Sequence, residues 1–137
     1  MAARLAPSIS PDTAFFWDGL KDRKLLIQRC ADCGTLRVPP RPMCGKCQSL
    51  NWDSVESSGR GTVYSFVMPK YPPLPFLQYS YVVALIDLEE GVRIVSNLCG
   101  VDPEAVENGM PVEVFYETFE SITDNTELVL HQFRPAN

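Results

Sequence analysis

From Gly59 onward, apolar and polar residues alternate in short runs separated by turn formers. Gly61–Val67, Ser80–Leu88, Val92–Leu98, Pro111–Phe119 and Glu127–Phe133 are five such runs, rich in Val, Ile, Tyr and Phe, residue types that suit a half-buried pleated surface. Glu89-Glu90-Gly91 links the second run to the third as a hairpin turn. Asp102–Gly109 has a capping Asp, a Pro at the first helical position, acidic residues in its first turn and a terminating Gly, which predicts one or two turns of helix. Five strands with a short helix between the third and fourth is the order of an OB barrel, a five-stranded Greek-key closure. Alternation assigns Tyr64, Phe66, Tyr79, Tyr81 and Phe115 to core packing rather than to base stacking.

Before Gly59 the period changes. Phe15, Phe16 and Leu20 form an apolar stripe at helical spacing, with Ser10 placed to cap, Pro11 in the first turn and Asp12 at the positive dipole end. Gly19 weakens the middle of that helix. Leu25–Gln28 then leads as a short extended segment into Cys30. The chain divides by this reading into 1–55, a helix and a small knuckled unit, and 56–137, the barrel.

The knuckled unit carries the chemistry. Cys30-Ala31-Asp32-Cys33 and Cys44-Gly45-Lys46-Cys47 are separated by ten residues, fewer than the roughly 15 to 20 of the commonest paired-cysteine template. The Pro-rich stretch Val38-Pro39-Pro40-Arg41-Pro42 between them suits a hairpin that brings both pairs to one ion. Four thiolates make a tetrahedral structural zinc site with no vacant position for a reactive water. Iron in the same four-cysteine shell is the rival, whereas a redox site would place a single Cys-x-x-Cys at a strand-to-helix junction. No apolar run approaches the roughly 18 residues of a membrane span and no leader pattern opens the chain. Reduced thiols in a cytoplasm are the expectation.

Charge narrows the partners. The 137-residue chain is 45% hydrophobic and 21% charged with a net charge of −5, values of a globular domain with room for one ordinary core. Residues 71–137 hold 11 acidic side chains against Arg93 and Arg134 alone, which repels a polyanion. Arg29, Arg37, Arg41 and Lys46 flank the cysteines; their simplest use is to offset the two or so negative charges of a zinc tetrathiolate, and the alternative is that one or two of them meet a ligand phosphate or a partner's carboxylate. A single-stranded nucleic-acid module of ribbon and barrel remains the alternative of another class.

Catalytic groups are scarce. His131, the one histidine, sits in an alternating strand as a packed or hydrogen-bonded residue, and Cys99 reads as a buried thiol. No nucleophile elbow, phosphate-cradling glycine loop or His-Glu-x-x-His pattern occurs. The segment from Lys70 to Tyr79 contains three prolines and the apolar residues Tyr71, Leu74, Phe76, Leu77 and Tyr79. It either folds over a barrel end or meets a partner, with Lys70 placed for a phosphate contact.

These residues resemble a known family. Phe16-Trp17 with Gly19, Gln28-Arg29-Cys30, Cys33-Gly34, Pro39–Pro42 before Cys44 and Cys47, Trp52, Ser58–Ser65 and Tyr81–Leu88 followed by Glu90-Gly91-Val92-Arg93 are together similar to the zinc-ribbon plus OB-fold proteins associated with acyl-CoA, catalogued as domain of unknown function 35. The resemblance covers nearly the whole chain. It implies a non-catalytic subunit that helps hold an acyl-CoA thioester for a thiolase-superfamily enzyme, in the manner of the companions of lipid-transfer-protein-like aldolases that act on steroid side chains. Other family settings it implies are a MaoC-like enoyl-CoA hydratase and an acetyl-CoA acyltransferase/HMG-CoA synthase complex. Under it, Cys30, Cys33, Cys44 and Cys47 hold zinc in a hetero-oligomer, and Lys70, Tyr71, Tyr79 and Arg93 are the candidates for contact with CoA.

Overall fold

The computed structural model describes residues 3–75 and 81–136. In chain order the elements are β1 (Ala3–Arg4), α1 (Ala14–Lys21), β2 (Leu26–Cys30), β3 (Leu36–Arg37), β4 (Trp52–Glu56), β5 (Arg60–Val67), β6 (Val82–Leu88), β7 (Arg93–Leu98), a 3₁₀ turn (Pro103–Ala105), β8 (Pro111–Ser121) and β9 (Glu127–Pro135). Strands β5, β6, β7, β9 and β8 pair in that order and close back on β5. All of these pairings are antiparallel except β7 with β9, which run parallel at Leu98 and Phe133. This is the strand order of an OB barrel, with the 3₁₀ turn between its third and fourth strands.

Alternation explains what fills the barrel. Val82, Ala84, Ile86 and Leu88 of β6 are buried in succession at every second position, and Val63, Ile94, Leu98, Val112 and Phe133 meet them from the other strands. Asp102 accepts the Glu104 amide at 3.0 Å to start the 3₁₀ turn, as its sequence anticipates, and the turn delivers the buried Val106 to the same core. Closure is tightest at Gly61, where a Cβ would lie 2.3 Å from the carbonyl oxygen of Asp87 on β6. No other residue type fits the β5–β6 contact at that point.

The β5–β6 ladder slips by one residue between Val63 and Ser65. The extra residue is Tyr64; because its neighbour Val63 takes the inward face, Tyr64 points outward and is 49% exposed instead of joining the expected core. Arg93 stacks on its ring at 3.6 Å.

The ribbon is a separate three-stranded sheet in the order β3-β2-β4. Its inner residues Leu25 and Ile27 join Phe16 and Leu20 of α1 and the barrel residues in one hydrophobic cluster. Gly19, a poor helix former, has a packing reason to stand in α1. It is buried, and a Cβ there would lie 2.8 Å from Leu26, so the glycine is what lets the helix lie on β2. Ser10 does not cap the helix. Its carbonyl accepts the amides of Thr13 and Ala14 at 3.0 and 2.9 Å, closing a turn, and Thr13 occupies the cap position one turn later than expected. At the opposite edge β1 adds a parallel strand to β8, with Arg4 over the Phe119 ring at 4.5 Å. No helix among the described residues is long and apolar enough to cross a membrane.

Candidate metal centre and the adjoining cleft

Two knuckles with the same hydrogen-bond pattern present the cysteines. In the first, the Gly34 amide donates to the Cys30 carbonyl at 2.9 Å and the Cys30 amide to Thr35 at 2.9 Å; in the second, Gln48 donates to Cys44 and Cys44 to Ser49 at the same distances. Gly34 and Gln48 both have positive φ, 78° and 63°, which turns each chain end back under its sulfurs. Asp32 joins the two loops, accepting from the Ser49 hydroxyl and from Asn51 Nδ2.

The four Sγ atoms lie within 4.8 Å of one another. Cys30 to Cys47 is 3.5 Å and Cys33 to Cys44 is 3.6 Å, too long for disulfides and close to the roughly 3.8 Å edge of a tetrahedron with zinc–sulfur bonds near 2.3 Å. The donor set therefore fits a four-coordinate soft or borderline cation. Its electrostatics point the same way. Backbone amides of Cys47 and Lys46 draw the Cys44 thiol down to about 6, and the Cys33 amide lowers Cys30. Cys47 is pulled down by the Ser49 amide but pushed further up, to about 12, by the neighbouring sulfurs. Four thiolates this close repel one another, and a divalent ion removes that conflict.

The basic residues around the cysteines divide by function. Arg29 makes a two-point ion pair with Asp53 across β2 and β4, at 2.8 and 2.7 Å. Arg37 turns inward and is 3% exposed. Its Nε donates to Gln28 Oε1 at 2.8 Å and its Nη2 to the Arg41 carbonyl at 3.0 Å, while the Arg41 amide donates to the same Gln28 oxygen at 2.8 Å. Among the described residues no carboxylate or cysteine sulfur pairs with Arg37 or Arg41, and Arg37 Nη1 is buried without a partner. The expectation that these arginines serve the thiolates is thus replaced for Arg29 by an ion pair and for Arg37 by a neutral amide.

Ribbon and barrel are clasped at one turn. Ser57 Oγ and the Ser58 amide donate to the two oxygens of Glu90, at 2.6 and 2.9 Å, and Ser58 Oγ and Arg60 donate to Glu89. Gly59, with φ 78°, sits in the clasp where a Cβ would meet Val114 at 2.3 Å.

Beside the clasp two cavities open between the ribbon and the barrel and share the walls Val38 and Arg93. One, about 570 Å³, is lined by Arg37, Arg41, Arg93 and Asp87. The other, about 500 Å³, is apolar and lined by Phe16, Trp17, Val38, Pro39, Ile94 and His131 among others. Trp17 Nε1 is buried without a hydrogen-bond partner. Of the four expected ligand contacts, Arg93 lines both cavities, Lys70 and Tyr71 are exposed on the β5–β6 connection, and Tyr79 lies outside the described residues. Arg37 and Arg41 belong to the basic set that flanks the cysteines in the sequence; Trp17 and Gln28 carry no ligand signal there, and their buried unpartnered nitrogens mark them only in the folded chain.

His131 is packed as expected, with Ser96 Oγ 2.7 Å from its Nδ1 and Phe16 and Phe133 at its edges. Burial lowers it to about 4 and keeps it neutral. Cys99 is only half buried, and desolvation raises its thiol.

A closed thiolate cluster joined through α1 to an OB barrel defines a zinc-ribbon/OB protein. The comparisons specify it: residues 17–53 match the rubredoxin-like zinc ribbon domain of ChsH2, and residues 54–117 its C-terminal OB-fold domain. The chain is 35% identical over 123 residues to a DUF35 domain-containing scaffold protein of Methanocaldococcus jannaschii, covering 87% of each. It belongs to the DUF35 family. A probable enoyl-CoA hydratase alpha subunit of Thermomonospora curvata is 47% identical over 98% of this chain but only 41% of its own length, so the chain spans about two-fifths of that relative. A benzoylsuccinyl-CoA thiolase subunit of Thauera aromatica is 29% identical over 93% of this chain and 92% of its own. Among solved structures, a chain of an Ltp2-ChsH2(DUF35) aldolase superposes with a TM-score of 0.84 at 46% identity, over 96% of this chain and 100% of that one.

Proposed function

We propose that the chain is a non-catalytic scaffolding subunit that binds an acyl-CoA thioester together with a thiolase-superfamily partner, in an aldolase of the lipid-transfer-protein-like kind acting on steroid or related acyl-CoA substrates. The likeness to the aldolase chain over its entire length carries this reading, and the thiolase subunit among the relatives supports it. The site agrees. Cys30, Cys33, Cys44 and Cys47 would hold a zinc ion with four thiolates, which leaves no position for an activated water, so the ion organises the ribbon rather than reacting. The one histidine is buried and neutral beside Ser96, and among the described residues no carboxylate hydrogen-bonds to it, which is not the constellation of a general base. A reducing cytoplasm suits four free thiolates. In this reading 1–55 and 56–137 act as a ribbon unit and a barrel unit, and Lys70, Tyr71, Tyr79 and Arg93 face the thioester or the partner.

The partner supplies bond chemistry, and the chain supplies binding energy from the remote CoA handle, which positions the reacting carbon elsewhere. Co-expression with a thiolase-superfamily enzyme from the same genome tests the proposal. The two should elute together, and the enzyme should lose thioester turnover when this chain is left out. An enzyme that is soluble and fully active alone, with this chain eluting separately, refutes it. The hydratase alpha subunit gives a second reading, in which the chain serves an enoyl-CoA hydratase. Co-elution with a hydratase rather than a thiolase homologue would select it.

A further inference from the structure

The barrel closes on itself over a short seam. Among the described residues three pairs join β5 to β8: Arg60 with Glu113, Gly61 with Val112 and Thr62 with Pro111. Pro111 has no N–H to donate, so the turn before it carries the seam onward. The Gly109 amide donates to the Val63 carbonyl at 2.6 Å, and the Val63 amide to the Met110 carbonyl at 3.1 Å. The turn is closed by the Met110 amide on the Glu107 carbonyl at 3.3 Å, with Gly109 at a φ of 88° that suits glycine alone. The residue before that glycine is Asn108, which is exposed to solvent and is the one asparagine in the chain followed by glycine. Asn-Gly is a chemically labile pair, because a glycine nitrogen, unshielded by a side chain, reaches the preceding Asn Cγ more readily than the nitrogen of any other residue. Here that nitrogen is the one that holds the seam.

We infer that Asn108 is a site of spontaneous modification to isoaspartate, and that the β5–β8 seam gates the conversion. The Gly109 nitrogen loses its proton and attacks Asn108 Cγ; the Cγ–Nδ2 bond breaks and ammonia leaves with that proton, closing a succinimide ring. Water then opens the ring, giving aspartate by attack at Cγ and isoaspartate by attack at the main-chain carbonyl carbon. Nothing is oxidised, and water is the only co-reactant. While the Gly109 N–H is engaged on Val63 and the turn from Glu107 to Met110 is closed, the nitrogen cannot swing toward Cγ, so the ring closes from chains whose seam has opened. The step runs one way. Isoaspartate puts an extra carbon into the main chain beside Gly109 and a carboxylate near the exposed Glu104 and Glu107, so the bonds to Val63 lose their register and the new charge meets like charge. A barrel that has once opened is thereby marked and loosened. Asp18-Gly19, the other pair able to form such a ring, lies inside α1, whose helical backbone holds Gly19 in place. The inference is independent of the scaffolding role.

The test incubates the full zinc-loaded chain at mildly alkaline pH, in water and in urea. Position 108 is followed by peptide mapping and by methyl transfer from S-adenosylmethionine with an isoaspartyl methyltransferase as the probe. Above the unfolding midpoint isoaspartate should accumulate at 108, and in water the rate should be about a hundredfold lower. Through sub-denaturing urea the modification rate should rise in parallel with hydrogen exchange of the Gly109 amide. Gly61→Ala, which crowds the seam against the Asp87 carbonyl, should raise the rate about tenfold; should that variant not fold, the urea series on the natural sequence makes the same comparison. Asn108→Ser should give no product and keep the unfolding midpoint. The purified modified chain should unfold at lower urea than the unmodified one and lose exchange protection at Val63 first. Equal rates in water and above the midpoint, modification that does not track Gly109 exchange, or no isoaspartate at 108 in the unfolded chain overturns the inference. A modified chain with an unchanged midpoint and a protected Val63 amide overturns it as well, because the seam would then tolerate the change.

Discussion

Around Cys30 and Cys44 the backbone reverses twice within a few residues, and no buried aliphatic side chain among the described residues lies between Cys30 and Cys47. Between Val82 and Leu98 the chain instead runs as long paired strands over a file of buried aliphatic residues. The barrel is ordered by apolar surface removed from water and by a ladder that closes on itself. The outer ribbon has neither, and its order depends on the four sulfurs being neutralised together. The inner half of the ribbon is different again, because Leu25 and Ile27 belong to the barrel's cluster and Ser57 donates to the Leu25 carbonyl at 2.8 Å. A metal thus extends a fold that hydrophobic burial has begun.

The largest way to break this contrast is to strip the ion. Chelation, or Cys44→Ser, should release the amides of Cys30, Gly34, Cys44 and Gln48 to rapid hydrogen exchange while β5–β8 amides stay protected. The expected loss is on the order of 10 kcal/mol of metal-linked ribbon stability. Loss of protection in both regions together would show that they are one cooperative unit. The barrel should fail by sterics instead. Gly61→Ala drives a methyl into the Asp87 carbonyl and should cost about 3 kcal/mol in denaturant midpoint experiments, with metal stoichiometry unchanged.

Acid sharpens the comparison within the barrel. His131 is lowered to about 4 by burial, so the unfolded chain binds a proton first as pH falls below the ordinary histidine range of about 6.5. Its neutral burial contributes fully above that pH, and stability should decline by about 2 kcal/mol between pH 7 and 5. His131→Leu should flatten that limb in thermal melts across the interval, and an unchanged slope would remove the assignment. The smallest effect lies in the second knuckle, where Gln48 holds a φ of 63° that glycine supplies in the first. Gln48→Gly should raise the unfolding free energy of the zinc-loaded chain by about 0.5 kcal/mol, read as a higher denaturant midpoint, whereas Gly34, already glycine at the matching position, leaves no such gain.

The barrel was readable because its strands alternate at period two and its connections carry turn chemistry; the Glu89–Gly91 hairpin and the Asp102 cap fall where their residues place them. The cysteine spacing likewise announced the metal cluster. Trp52–Glu56 escaped notice as a strand because Asp53, Ser54 and Glu56 lack strand propensity, and pairing with β2, helped by Asp53 on Arg29, overrides it. β1 and β3 are two residues each and leave no periodic trace. Tyr64 lies outside the core because the run Gly61–Val67 has apolar residues on both faces and Val63, not Tyr64, takes the inner one. The cleft was invisible for another reason: its walls come from residues near 13–17, 38–41, 85–95 and 131, brought together only by the tertiary fold.

The Glu89–Glu90 clasp constrains how this chain can grow. The same tight turn sets the β6–β7 register and grips the Ser57–Ser58 junction, so an inserted residue there would tilt the ribbon and deform the cleft at once. The Pro-rich β5–β6 connection carries no such double duty at its exposed Tyr71, and it is where added length, and with it a new choice of companion enzyme, is most easily accommodated.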